Sequence, residues 1–504
     1  MVFDFTKLLV RGRMRRAHQQ DADRRKAIAP GADQIVVGST ESGTAVCWPQ
    51  TQLGANTHVL VLGQSGCGKT VATCAALLAE IANESCTKPP ALSTAYFVTD
   101  PKGDLSATLL SGLAAEAPQL LSRVHYLDPF SPNRGFPFNL ARLKTNTTCD
   151  ILAVQLAELV NELSTATGSQ AHLGTGARQV DILCNLLLAC LDSRSEGASP
   201  LWALDALCAP RGMKELAAAT RSQRARQFLL SADRLSDQLV ASTSARLRMA
   251  FALTEHIEQQ MAASSCIQFS ELLAPGSIVI ADLGNPPAGM ASITRYYANL
   301  LVRLVIQYLL ERPSPWQGNC VRLVIDESQI VVPVIASVAQ HLLETARSRG
   351  ISLTLMTQGT ATIRKEAPTL LASLMTNVKT IFAGRLSAQD AEALSRELSP
   401  SPGVEQSVSS LRQKFVARTT NLAQREFVRL GAGERSVFRS NDVPLDAWQE
   451  AARARADELT AVKERLNPEL GTGPRPPLPL LSSAERKPKP KAPAGKRPPP
   501  SLWG

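Results

Sequence analysis

The chain has 504 residues, enough for two or three domains, and 44% apolar with 19% charged residues excludes a wholly disordered protein. Its ten cysteines stand singly from Cys47 to Cys320, with no C-x-x-C pair and no histidine at ligand spacing. That pattern excludes a disulfide framework and a zinc site, and it fits thiols in a reducing compartment. The net charge of +10 sits at the two ends, with +5 in residues 1–26 and +6 in residues 471–504, which leaves −1 for everything between. Basic tails suit nucleic acid or an anionic membrane surface, or they are plain solvated arms.

In chain order, residues 1–33 form a basic N-terminal segment. Residues 1–10 lack the extended apolar core of a signal peptide and read as an interfacial helix or a helix docked on the body. The longest apolar windows, Tyr297–Leu310 and Val331–Ala339, are too short to span a bilayer. Residues 34–57 alternate apolar and polar around Gly43, which predicts a hairpin leading into the buried strand His58-Val59-Leu60-Val61-Leu62. Directly after it stands Gly63-Gln64-Ser65-Gly66-Cys67-Gly68-Lys69-Thr70, which fits G-x-x-x-x-G-K-[ST]. Glycines let successive N–H groups turn onto phosphate oxygens, and the helix predicted from Val71 to Ile81 adds the positive end of its dipole. Lys69 can then reach the β- and γ-phosphates while the Thr70 hydroxyl holds Mg²⁺.

Two more buried strands follow. Ala95-Tyr96-Phe97-Val98-Thr99 runs into Asp100-Pro101-Lys102-Gly103-Asp104-Leu105, and Arg123-Val124-His125-Tyr126-Leu127 runs into Asp128-Pro129-Phe130. Strand, helix and strand with polar residues at the strand ends is how an open parallel sheet presents its ligand edge. From about Thr145 to Ser265 strand signals vanish. Leu and Ala recur at helical spacing through Ile151–Leu163, Ala177–Leu191, Leu201–Leu207, Met213–Ala219, Leu229–Arg248 and Ala250–Met261. Pro200, Pro210 and the stretch 168–176 punctuate this all-helical insertion, which takes Cys184 and Cys190 into its core. Arg221, Arg224 and Arg226 read as an exposed helix face.

Strands resume at Ser277–Leu283. A long helix, Ile293–Glu311, leads to Val321-Arg322-Leu323-Val324-Ile325-Asp326-Glu327, an apolar strand that ends in two acids. Paired with the phosphate loop, Asp326 would hold the Mg²⁺ shell and Glu327 would orient or deprotonate the attacking water. The strand Ile351–Met356 finishes at Thr357-Gln358, where Gln358 would sense the γ-phosphate. Asn377–Arg385 gives one more strand and Ser387–Leu398 one more helix. From Asn467 the chain turns Pro/Lys-rich, too poor in apolar residues to fold, and reads as disordered. The predicted organisation is a basic segment (1–33), a nucleotide-binding part (34–144), a helical domain (145–265), a second nucleotide-binding part (266–465) and a disordered tail (466–504).

The order GQSGCGKT, TDPKGDL, LDPF, helical insertion, VRLVIDE, ARSRGISLTLMTQ, then a strand after Asn377, resembles the VirD4/TraG/TraD coupling proteins of the FtsK/HerA group of hexameric DNA-pumping ATPases. The likeness covers about residues 35–445. It implies an α/β fold, a RecA-like P-loop NTPase domain with an inserted all-α domain, ATP and Mg²⁺ as ligands, and a homohexamer. It implies a motor that moves DNA, single- or double-stranded, with relaxase and secretion-channel proteins as partners. Matched residue by residue, Lys69 and Thr70 correspond to Walker A, Asp326 and Glu327 to Walker B, and Gln358 to the glutamine of the third motif. Arg347 and Arg349 fall in the family's arginine stretch, from which one would act across a subunit interface. Two departures stand out. Family members begin with transmembrane helices, which are not legible here, so the expectation is a cytoplasmic protein brought to the inner membrane by a separate anchor. Walker B continues with Ser328 in place of phenylalanine, which bears on packing more than chemistry. A soluble HerA/FtsK-like pump for packaging or processing, and a nucleotide-dependent scaffold that recruits secreted cargo, fit the same residues.

Overall fold

The structure is a computed structural model that describes residues 35–466, apart from 56, 132–134, 146, 167–175, 232–234, 287–290, 333–340, 398–404 and 432–433. The basic segment 1–33, the tail 467–504, most of the stretch 168–176 and most of the window Val331–Ala339 therefore lie outside the described residues.

Apolar runs become buried strands wherever both faces of a sheet are covered. Among the described residues eleven strands form one sheet in the order β2-β1-β11-β10-β9-β3-β8-β7-β4-β6-β5. They are β1 (Ile35–Thr40), β2 (Ala45–Trp48), β3 (Val59–Leu62), β4 (Ala95–Asp100), β5 (Val124–Leu127) and β6 (Ile278–Asp282). The remainder are β7 (Val321–Ile325), β8 (Ile351–Thr357), β9 (Thr380–Ala383), β10 (Glu426–Gly431) and β11 (Glu434–Ser440). From β9 to β5 neighbours run parallel, and β10, β11, β1 and β2 add an antiparallel extension. The predicted hairpin around Gly43 is β1 and β2, and it lies at the far end of that extension, away from β3.

Alternation within each strand divides the core between two layers. Leu60, Leu62, Phe97, Leu323 and Ile325 face one layer, while Val59, Val61, Tyr96, Val98 and Val324 face the other. The second layer is closed by α1 (Lys69–Thr87) and α2 (Asp104–Glu116), which follow β3 and β4. Helix α1 stops at Lys88, ahead of Pro89 and Pro90, because a residue before proline is pushed out of the helical region.

The first layer takes the longer helices between β5 and β6, α3 (Cys149–Ala166), α4 (Gly176–Leu191), α5 (Leu201–Cys208), α6 (Gly212–Ala219), α7 (Gln223–Leu230), α8 (Asp237–Phe251) and α9 (Glu255–Ala262), and a single turn at Phe269–Leu272. Two of the expected helical runs are broken by caps. Ser236 accepts a hydrogen bond from the Leu239 N–H, and Thr254 accepts one from the Ile257 N–H, so α8 and α9 start afresh there. Cys184 and Cys190 are buried, as their surroundings predict. Arg226 is not simply solvated: it donates to the Ala217 and Thr220 carbonyls at 3.0 Å each and closes the end of α6.

Helix α10 (Ala291–Leu310) lies under the sheet and meets α3, where Arg303 donates to Glu158 at 3.0 Å. After β8 come α11 (Ala361–Glu366), α12 (Pro368–Asn377), α13 (Ala388–Glu397) and α14 (Glu405–Thr420). The described chain closes with α15 (Leu445–Ala454) and α16 (Ala456–Glu464). Trp448 of α15 is buried against α2 and donates to Glu116 at 2.8 Å, and Lys463 of α16 lies over the Tyr126 ring, 5.2 Å from its centroid. Among the described residues no helix is long and apolar enough to cross a membrane.

Candidate nucleotide site

The strand order brings the carboxyl ends of β3, β8, β7 and β4 side by side, which is where an open α/β sheet holds its ligands. The phosphate loop leaves β3 there. Gly68 takes φ 95° at the start of α1, and a β-carbon at that position would come within 3.1 Å of the Arg425 side chain. Only glycine meets both demands without strain. The loop is pinned from three sides: the Gly63 N–H donates to Thr357 O (3.2 Å), the Gln64 N–H to Arg385 O (2.8 Å) and the Arg425 N–H to Cys67 O (2.9 Å). No side chain caps the first turn of α1 and no acid occupies it, so its N–H groups remain available to an anion. Lys69 is buried and lies across the loop, donating to Gly63 O at 2.5 Å and Gln64 O at 3.2 Å, with Thr70 half-buried beside it.

Two strands away, Asp326 follows β7, and its N–H donates to Thr99 O at 3.0 Å. Its Oδ1 accepts the Glu327 N–H at 2.8 Å, and Glu327 is held in the left-handed region at φ 46°. Such a conformation is costly for a residue with a β-carbon and persists where the surroundings over-determine it. Burial pushes the Asp326 carboxyl up to about 7, helped by the Asp100 and Glu327 carboxylates and opposed by Lys69. Asp100 is likewise raised by burial, although its carboxylate accepts the Lys102 N–H at 3.0 Å and the Ser106 N–H at 2.7 Å.

Glu327 behaves differently. Burial works to raise it, but the Lys102 ammonium and the Gln329 and Gln358 amides more than offset this, so its carboxyl lies below the ordinary glutamate value. Lys102 pairs with Oε1 and Gln329 donates to Oε2. Gln358, at the tip of β8, reaches the two oxygens at 3.4 and 3.2 Å. Further along the edge, Asp282 at the end of β6 accepts from the Tyr126 hydroxyl, and burial with the nearby Asp282 charge lifts Asp128 to about 6.

Among the described residues no group of three or more His, Cys, Asp and Glu forms a self-sufficient metal cage. The donors present fit a hard divalent ion of another kind. A cation at Asp326 would relieve the crowding of buried carboxylates, and Mg²⁺ characteristically takes one or two protein oxygens together with substrate phosphates. Thr70 and Asp326 would be the residues to supply such a pair.

Arg347 and Arg349 lie elsewhere. They form the turn before β8, at the amino edge of the sheet and away from Lys69 and Glu327 in the same chain. Arg349 is committed to the end of α10, donating to Leu310 O at 2.5 Å and to Arg312 O, whereas Arg347 is exposed. Lys102, Gln329 and Arg425 join the site without having been singled out in the sequence. For Lys102 there was a signal, a lone basic residue in the Asp-Pro-Lys-Gly tip of a buried strand. For Gln329 and Arg425 there was none, since their places depend on the turn after Glu327 and on a loop more than 350 residues from the phosphate loop.

No protein-family model matches the sequence, and no curated protein matches it. Solved structures do. The chain matches VirB4 of Thermoanaerobacter pseudethanolicus with a TM-score of 0.55 and 14% identity, over 83% of this chain and 99% of the other. It matches the plasmid coupling protein TrwB, in complex with the non-hydrolysable ATP analogue ADPNP, with a TM-score of 0.50 and 18% identity, over 83% of this chain and 91% of the other. At these identities the likeness is one of fold, and at that level it agrees with the resemblance read from the motifs. The chain has the RecA-like α/β P-loop fold of VirB4 and of the coupling protein TrwB.

Proposed function

We propose that this chain is an ATP-hydrolysing DNA motor of the type IV secretion coupling class. It would act as a homohexamer that links relaxase-bound single-stranded DNA to the secretion channel. The observation that carries the ATPase reading is the convergence of Lys69, Asp326, Glu327 and Gln358 at the ends of three adjacent strands, β3, β8 and β7. The fold shared with VirB4 and with nucleotide-bound TrwB supports the class.

In this reading the residues Gly63 to Thr70 cradle the triphosphate, and Lys69 exchanges its loop carbonyls for phosphate oxygens. Thr70 and Asp326 would hold Mg²⁺, which neutralises charge on the β- and γ-phosphates. Glu327 accepts a proton from water as the water oxygen bonds to the γ-phosphorus and the bond to the ADP oxygen breaks. Gln358 fixes the Glu327 carboxylate from the neighbouring strand. Arg347, exposed at the amino edge, would complete the site of the adjacent subunit. Arg349 is less suited to that role because its guanidinium already caps α10.

The test is hydrolysis by the full chain. Lys69→Ala should abolish or severely weaken ATP binding. Glu327→Gln should keep binding and lower kcat by ~10²-fold or more, the scale expected when a general base is lost. Equal turnover by Glu327→Gln and the parent would sink the assignment. Stimulation of turnover by single-stranded DNA supports a motor, and its absence favours the nucleotide-dependent scaffold.

A further inference from the structure

Glu327 is a crowded base. A carboxylate offers roughly four lone-pair directions. Three side chains compete for them: Lys102 on Oε1, Gln329 on Oε2, and Gln358, whose Nε2 lies 3.4 and 3.2 Å from the two oxygens. A water that is to lose its proton to this group needs one of those directions free.

The donors differ in what they contribute. Gln329 is fixed by a second bond, since its Oε1 accepts the Thr357 hydroxyl at 2.9 Å. Gln358 is neutral and its contacts are the long ones. Lys102 alone brings a full charge, which draws electron density from the carboxylate and strengthens the bond. It also sits on a four-carbon stem, with its side chain 45% exposed against 7% for Glu327. Such an ammonium is strongly hydrated and exchanges partners readily.

The turn that presents Lys102 is tightly built. Asp100 fastens it through the N–H groups of Lys102 and Ser106, and Gly103 turns it at φ 83° into α2. The loop after β6 closes on its back: a β-carbon on Gly284 would lie 2.5 Å from the Lys102 carbonyl. A fixed backbone thus carries a movable charge to one oxygen of the candidate base.

We propose that Lys102 is a positioning residue that holds the Glu327 carboxylate back from the attacking water, and that each turnover requires its ammonium to release Oε1. The proposal rests on the ATPase reading above and adds a restraint to it. Removing the charge leaves Oε1 with only the 3.4 Å contact from Gln358, while Gln329 and Gln358 still orient the group.

The experiment is steady-state ATP hydrolysis without DNA by full-length Lys102→Met, Lys102→Gln and Lys102→Arg, with affinity for a fluorescent ATP analogue and thermal melting measured alongside. Lys102→Gln retains length and polarity, so it serves if the methionine variant fails to fold. Both neutral variants should show kcat raised about threefold or more with KM and analogue affinity changed less than about twofold, a split that loss of a merely structural contact does not give. Lys102→Arg keeps the charge and should keep the restraint and its low rate. An unchanged or lower kcat in the folded neutral variants overturns the proposal. A wild-type chain that binds the analogue but never hydrolyses ATP overturns the underlying ATPase reading, and turnover undiminished in Glu327→Gln overturns the assignment of Glu327 as its base, so these failures are told apart from failure of the restraint.

Discussion

At the scale of single residues, the site works by setting charges against one another. Burial and two neighbouring carboxylates raise the Asp326 carboxyl, while Lys102 and two amides hold Glu327, one residue on, below the ordinary glutamate value. Adjacent acids on one turn are thus shifted in opposite directions, and a cation bound at Asp326 would offset the cost of holding its buried carboxylate ionised. The two arginines before β8 separate in the same way, one engaged and one exposed. Arg347→Ala should lower turnover at least tenfold without loss of nucleotide affinity, as expected when a charge acting only in the transition state is removed. Arg349→Ala should instead lower the melting temperature, because the carbonyls of Leu310 and Arg312 lose their donor. Mixing Arg347→Ala with Lys69→Ala subunits should restore part of the activity, since each supplies what the other lacks. Flat activity in the mixtures, together with wild-type turnover by Arg347→Ala alone, would remove Arg347 from the site.

At the scale of elements, the central strands were legible because burial on both faces writes itself as an apolar run, as in Val59-Leu60-Val61-Leu62 and Ile278-Val279-Ile280. Their order in the sheet was not. β3 sits between β8 and β9, whose paired residues lie 295 and 321 positions later, and no local pattern announces such pairings. The breaks before α8 and α9 escaped notice because an apolar periodicity ran through them, although Ser236 and Thr254 are ordinary cap residues. One polar cluster was equally invisible: Arg322 of β7 and Glu80 of α1, both fully buried, meet at 3.0 Å. Arg322 also donates to Thr51 Oγ1 (2.7 Å), Thr354 Oγ1 (2.9 Å) and Pro49 O (2.6 Å), while Glu80 accepts from Trp48 Nε1 (3.1 Å) and the Thr51 N–H (2.6 Å). The pair ties the segment after β2 to the amino edge of the sheet, opposite the nucleotide site. Glu80→Ala should destabilise the protein by about 3–5 kcal/mol, because it strands a buried guanidinium. Chemical denaturation measures that loss, and a change below about 1 kcal/mol would mean that Arg322 is satisfied by its other acceptors.

At the scale of the whole molecule, the net positive charge is concentrated at the two ends of the chain. Residues 27–470 sum to −1, and the excess of positive charge belongs to the two ends, +5 in 1–26 and +6 in 471–504. Long-range attraction to DNA or anionic lipid should therefore come mainly from those ends. Each phosphate neutralised by a lysine or arginine releases counterions, so binding through the ends should weaken steeply with salt, in proportion to the contacts made. Truncation to residues 27–470 is a clean way to test this. It spares every residue of the nucleotide site, and it spares Arg465, whose Nη1 fastens the end of α16 to Ser122 O (2.7 Å) and Val124 O (3.1 Å). The truncated protein should hydrolyse ATP at nearly the wild-type basal rate while the salt dependence of its DNA binding flattens. At saturating single-stranded DNA it should still be stimulated if the proposed motor holds, because a near-neutral body can carry a basic DNA-contacting surface balanced by acids elsewhere. Retention of the full salt slope after truncation would place the DNA-binding charge in the body and reduce the ends to solvated arms. Stimulation measured across a salt series, with and without the ends, separates these outcomes, since affinity reads the ends and the plateau reads the body.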